Sequence, residues 1–187
     1  MGIAGTFFLG IVILAVLVVL AVWVYIRRQG NEKIRFDIDR RSDCALESLT
    51  ETTAVLSCQV PYRNTGSQDG TVMDAFPRVL LPYEQYDAVE VSARLMRETA
   101  PRTDGYWEAV IVPKFTGGGT VVVTIQFVAR EGDIRLALAE MVDFPIDLVL
   151  HIISRSLGYL TKQRIVITAE EIAKALASQP GAQSEVL

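Results

Sequence analysis

The chain contains one histidine, His151. The apolar residues Ile146, Val149, Leu150, Ile153 and Leu157 recur at helical spacing, which predicts a helix opening at Pro145 and capped by Gly158. On that helix His151 lies four residues from both Asp147 and Arg155, so the three share one polar stripe. An Asp–His pair can tune a general base near neutral pH. Catalysis would also need a nucleophile in reach, and nothing in the sequence supplies one. Pairing at i, i+4 on a helix surface is common without any catalysis.

Other constellations are weaker still. Zinc needs about four His, Cys or acidic ligands at suitable spacing, and the chain offers one His and two separated Cys. Asp37, Asp39 and Asp43 are closely spaced but lack the glycine and terminal glutamate of a calcium loop. Gly117-Gly118-Gly119 is followed by neither the Lys-Ser/Thr nor the helix of a phosphate loop. No G-x-S-x-G or G-x-G-x-x-G is present. The expectation is therefore a non-enzyme with no catalytic, cofactor-binding or metal-binding residue, and no cofactor.

Cys44 and Cys58 make a conditional pair. Cys58 is in phase with Ala54, Leu56 and Val60, which predicts that it faces a core; Cys44 precedes a second short apolar run. If the two runs are neighbouring strands the thiols could meet. They could then form a disulfide outside the cytoplasm, and would stay thiols within it.

The elements that must position these residues begin with an apolar segment. From Gly2 to Ile26 there is no charged side chain. A helix over Ile3–Ile26 would extend roughly 36 Å, against a hydrocarbon core of roughly 30 Å. Trp23 and Tyr25 fall where amphipathic rings favour the membrane interface, and Arg27 and Arg28 follow at once. A cleaved signal peptide would carry a basic start, a shorter apolar stretch and a small-x-small site. Here the start has no Lys or Arg and the end is bulky and basic. Residues 1–28 are accordingly predicted to be a single-pass anchor in a cell (plasma or inner) membrane. Basic residues cluster on its C-terminal side (Arg27, Arg28, Lys33 and Arg35). The positive-inside rule then puts the following domain in the cytoplasm, with the extracytoplasmic side as the alternative.

Residues 29–33 read as a short polar linker, 34–178 as one β-rich domain and 179–187 as a frayed tail. Period-2 alternation marks strands at Ile34–Ile38, Ala54–Val60, Val89–Leu95, Trp107–Ile111 and Val121–Phe127, with a further strand at Gln163–Thr168. Turn chemistry separates them at Asn64–Gly66, Asp69-Gly70, Pro101–Gly105 and Gly117–Gly119. Asp133–Met141 has helical spacing, and Thr168-Ala-Glu-Glu171 is a capping-box pattern opening a last helix. The fold class is α+β: one transmembrane helix, then a mainly antiparallel, β-sandwich-like (Ig-like) domain with C-terminal helices. The segment Val60–Gly66 (VPYRNTG) resembles strand-to-turn passages of bacterial Ig-like domains and of the late-embryogenesis-abundant type of sandwich. The resemblance covers those few residues and carries no function with it.

The formal net charge is −4, which gives no basic face for nucleic acid. The function expected is a membrane-anchored, non-catalytic interaction or assembly module. Its partners would be the lipid bilayer, through the helix, and a protein at the membrane. The alternative is a tethered binder of lipid or another apolar ligand, suggested by the apolar run Phe144–Leu160.

Overall fold

The computed structural model describes residues 2–178 except 85, 103, 105 and 156. The expected tail, 179–187, and part of the Pro101–Gly105 turn lie outside the described residues. A helix, α1 (Ile3–Arg28), is followed by a two-sheet sandwich. One sheet holds β1 (Ile34–Phe36), β2 (Ala45–Leu49), β3 (Thr53–Asn64), β5 (Val89–Arg97) and β7 (Gly118–Ala129). The other holds β4 (Gly70–Val79), β6 (Val110–Val112), β8 (Phe144–Ile153) and β9 (Tyr159–Ile167). All pairings are antiparallel. Two helices, α2 (Ile134–Ala139) and α3 (Ala169–Ala177), complete the α+β architecture.

Strand β3 shows why the sequence folds this way. Its alternate residues Ala54, Leu56, Cys58 and Val60 are all buried. They face into the sandwich beside Val121, Val123, Ile125 and Phe127 of β7, with which β3 pairs over its length. The opposite sheet contributes Phe144, Ile146, Leu148, Leu150 and Ile152 from β8 and Ile165 and Ile167 from β9. Phe127 and Phe144 meet edge to face across the two layers, ring centroids 6.1 Å apart.

Turn residues reverse the chain but do not say which sheet receives it. Most connections in this fold cross between layers. Pro101–Gly105 joins β5 to β6, and Gly117–Gly119 joins β6 to β7, yet in both cases the flanking strands belong to different sheets. The direct hairpins are β2–β3 and β8–β9. Strands β1 and β2 share one side of β3, separated by a 3-10 turn at Ile38–Arg40. Ile38 thus sits in that turn rather than in the expected strand. The expected Trp107–Ile111 strand shrinks to Val110–Val112 with opposite phase, Val112 buried and Ile111 exposed. Trp107 instead lies half-buried before it, its indole N–H donating to Val72 O at 3.3 Å.

The largest correction concerns Pro145–Leu157. It is not a helix. Phe144–Ile153 is β8, the strand between β4 and β9, and Gly158 sits in the β8–β9 loop rather than at a helix end. Residues 144, 146, 148, 150 and 152 alternate into the core, a spacing overlaid on the helical one in this nearly continuous apolar run. Strand β4 shows no continuous alternation, because a bulge at Val72/Asp74 interrupts its phase.

Candidate functional site at the helix-proximal end

Helix α1 leaves the sandwich entirely. Its stretch Phe7–Arg28 is long and apolar enough to cross a membrane, and none of it is buried in the fold. Trp23 and Tyr25 are exposed, and the Arg27 guanidinium lies 4.3 Å from the centre of the Trp23 ring. Arg28 ends the helix.

The five-residue segment that follows is hydrogen-bonded to the domain through Gln29, Asn31 and Lys33. Gln29 O accepts from the Ser67 hydroxyl and from Gln68 Nε2, the latter at 3.1 Å, and the Gln29 side-chain oxygen accepts from Arg155. Asn31 O accepts from Ser67 N–H at 3.1 Å, and Lys33 O from Thr65 N–H at 3.0 Å. Gly30 has φ +64°, and a Cβ there would fall 2.3 Å from Ser67 Oγ, so a side chain is opposed by both conformation and space. Glu32 is buried, and its carboxylate together with burial pushes the Tyr159 phenol up, burial being the larger effect.

Asn64 holds this end together. Its side chain is buried and makes four hydrogen bonds, the full capacity of an amide. Oδ1 accepts from Lys33 N–H at 3.0 Å and Gly66 N–H at 2.9 Å. Nδ2 donates to Gln68 O at 2.8 Å and Val112 O at 3.0 Å. One residue thus ties the post-helix segment, the β3–β4 loop and β6. The other loops at this end join the same net. Lys114 N–H donates to Asp69 Oδ1 at 2.8 Å, Phe115 N–H to Gly66 O at 3.3 Å, and the Ser154 hydroxyl to Asp69 O at 3.2 Å. The sequence marks Asn64-Thr-Gly66 and Asp69-Gly70 as turns; it gives no sign that three separate segments converge on one amide.

The two cysteines do meet. Ala45 pairs with Ser57 in the β2–β3 ladder, so Cys44 and Cys58 stand opposite each other one step beyond it. Both are buried free thiols. Cys44 hydrogen-bonds Cys58, which together with burial pushes the Cys44 thiol far up, while Cys58 is lowered by that bond and by the nearby Arg41 guanidinium. Arg41 Nη1 is 3.7 Å from Cys44 Sγ and is locked in a two-bond pair with Glu171, at 2.7 and 3.0 Å. Glu171 also accepts from Cys44 N–H at 2.8 Å. Thr168 caps α3 as expected, accepting from Glu171 N–H at 3.1 Å, while the Glu171 carboxylate is given to Arg41 and Cys44. The pairing of Glu171 with Arg41 spans most of the domain's sequence and had no local signal.

His151, Asp147 and Arg155 do not form the expected stripe. His151 is half-buried on the outer face of its sheet, opposite Asp74 and Leu160. Asp147 pairs with Arg164 at 2.7 Å and Lys162 at 3.2 Å, which hold its carboxyl down at about 2, the Arg164 bond first. Arg155 is committed to Gln29. Among the described residues no three His, Cys, Asp or Glu side chains group to hold a metal ion.

No family model matches the chain, and no curated protein matches it. Among solved structures, the GAE domain of yeast GGA1 is similar over 68% of this chain and 98% of that one, at 6% identity and a TM-score of 0.29.

Proposed function

We propose that this chain is a single-pass membrane protein whose sandwich is a non-catalytic interaction module held close to the bilayer. The observation that carries the reading is the Phe7–Arg28 helix, apolar and wholly unburied beside a domain that has a complete core of its own. A helix of that kind has no partner within the fold to cover it, and a bilayer covers it fully. Trp23, Tyr25, Arg27 and Arg28 then mark its interfacial end. Anchoring raises the effective concentration of the domain toward proteins in the same membrane. Strands β5 and β9 stand at the edges of their sheets, the position at which a partner strand adds. Of the run Phe144–Leu160 that suggested the apolar-ligand alternative, β8 spends its alternate apolar residues on the core, while Leu157 and Leu160 stand exposed.

Flanking charge favours a cytoplasmic domain. The test is a single reporter cysteine at Asn31, probed in intact cells with a membrane-impermeant thiol reagent; Cys44 and Cys58, both buried, provide the blank. Protection until the membrane is permeabilised supports the cytoplasmic side, and labelling in intact cells reverses it. Extraction of the chain from membranes by alkaline carbonate would overturn the anchor itself.

A further inference from the structure

We propose that the helix-proximal end of the sandwich is a bilayer-docking surface, in which Phe115 and Leu157 enter the headgroup–acyl boundary and Lys114 joins Arg27 and Arg28 among the lipid phosphates. The inference rests on the anchored reading above and adds the domain's own contact with lipid.

Three observations converge on it. First, large apolar side chains stand in the open at loop tips. Leu157 in the β8–β9 loop is 93% exposed, and Phe115 in the β6–β7 loop is 67% exposed. Phe115 is also the one non-glycine with positive φ among the described residues, at 65°, a conformation uncommon for a bulky side chain. Polar residues would serve a solvated tip at lower cost, so two such residues at one end call for a cover.

Second, the loops carrying them are pinned to the helix exit. Arg155, two residues before Leu157, donates to Gln29, the first residue after the helix. Phe115 N–H donates to Gly66 O, next to Ser67, whose hydroxyl donates to Gln29 O. With Trp23 and Arg27 at the interface, Gln29 lies within a headgroup layer roughly 5–8 Å thick on each side of the hydrocarbon. Loops bonded to Gln29 cannot stand clear of that layer.

Third, charge agrees. Lys114 and Arg155 are exposed on the same loops, beside Arg27 and Arg28. Of the acidic residues near them, Glu32 is buried and Asp69 is an exposed anion that accepts from Lys114 N–H, so the four cations Arg27, Arg28, Lys114 and Arg155 outnumber it. The bilayer is therefore the occupant, through the same apolar-plus-basic chemistry that seats amphipathic surfaces on anionic lipid.

The test uses the full chain in vesicles of phosphatidylcholine and phosphatidylglycerol in equal parts, with a fluorescent bimane placed at one introduced cysteine at a time. The positions are Phe115→Cys, Leu157→Cys, Leu20→Cys in the helix and Leu136→Cys on α2. Leu136 is 74% exposed and belongs to the opposite end, the length of β3 away, roughly 35–40 Å at 3.3 Å per residue. The unsubstituted chain is the blank. Lipids brominated on the acyl chain should quench bimane at 115 and 157 several-fold more than at 136. Quenching at 20 without quenching at 115 or 157 overturns the docking surface and leaves the anchor standing. Loss of quenching at 20 overturns the anchor, and the docking surface with it. Equal quenching at 115, 157 and 136 also overturns the proposal, since the contact would then not be confined to this end.

Discussion

Two polar knots tie distant segments of this domain, and they are built on opposite principles. Asn64, at the helix-proximal end, is a neutral amide whose four bonds all run to backbone groups. Arg41 and Glu171, beside α3, form an ion pair with two thiols against it. A neutral, saturated knot has nothing to gain or lose from protons or oxidants. A knot made of a carboxylate, a guanidinium and two thiols is open to both. The difference teaches where the domain can be tuned: the Asn64 knot carries no titratable or oxidisable group, and the knot beside α3 carries several.

The comparison breaks most readily at Asn64. Replacing it with Leu strands Gly66 N–H and Val112 O in a buried setting and Lys33 N–H and Gln68 O in a half-buried one. Each such group costs about 1–3 kcal/mol, so partial relaxation should leave a loss of about 4 kcal/mol. Urea unfolding followed by Trp107 fluorescence checks it, and amide exchange should quicken first at Lys33 and Gly66. A loss under about 1 kcal/mol would show that the loops hold the post-helix segment without the amide.

Next comes the sulfur pair. A disulfide reagent should oxidise Cys44 and Cys58 to a bridge, the two thiols giving up two protons and two electrons as the reagent is reduced to thiols. Closing a loop of about 15 residues should add about 3 kcal/mol. The bridge is read as the loss of two hydrogens by mass and as a raised denaturation midpoint. The Asn64→Leu chain should gain as much, because the knots are independent. Failure to bridge in the folded chain would show that the thiols face each other in a geometry unsuited to a bond.

Glu171→Gln removes one charge from a pair whose side chains are 18% and 11% exposed. An unmatched, largely buried Arg41 should cost about 2 kcal/mol, below the full cost of a wholly buried pair because water still reaches the site. The pH dependence gives the sharper reading. Burial alone would raise the Glu171 carboxyl, but the bonds from Arg41 and from Cys44 N–H outweigh it and hold it below its usual 4.5. Its contribution is therefore present above about pH 4.5 and fades as pH falls through the lowered folded value. Asp147, held at about 2, fades over a lower range. Glu171→Gln should flatten the upper part of this acid slope, whereas Asn64→Leu should shift the whole curve without changing its shape.

How far the sequence foretold these features follows from how local their causes are. The alternation of Ala54, Leu56, Cys58 and Val60 is a local consequence of one buried face, and it reads directly. So does the Thr168 cap, which acts over three residues. The β8 run misleads because Pro145, Val149 and Ile153 stand on its outer face beside Asp147 and His151, which overlays the period-2 signal with one that also fits a helix. The Asn64 bonds to Lys33 and Val112, the Arg41–Glu171 pair and the clasp of Gln163 on both backbone groups of Phe36 join residues from 31 to 130 positions apart. No local pattern encodes them. The cysteines were a middle case: core phase was visible at Cys58, but the meeting with Cys44 depended on which strands became neighbours.

The smallest expected effect separates the two jobs at the start of α3. In a capping box the carboxylate at Glu171 would reach back to the N–H of Thr168, making the cap reciprocal. Here that carboxylate is spent on Arg41 and Cys44 N–H, so Thr168 caps through its own hydroxyl alone. Thr168→Ala should therefore cost about 1 kcal/mol, the usual worth of one cap bond. The ion pair should survive it, leaving the acid slope from Glu171 in place. Amide exchange should rise at Glu171, whose N–H loses its acceptor, while Cys44 N–H stays protected. If Thr168→Ala instead removed the acid slope, the cap would be what positions Glu171 toward Arg41. The ionic knot would then depend on a neutral one after all, and the contrast between the two ends of the domain would narrow to a difference in accessibility.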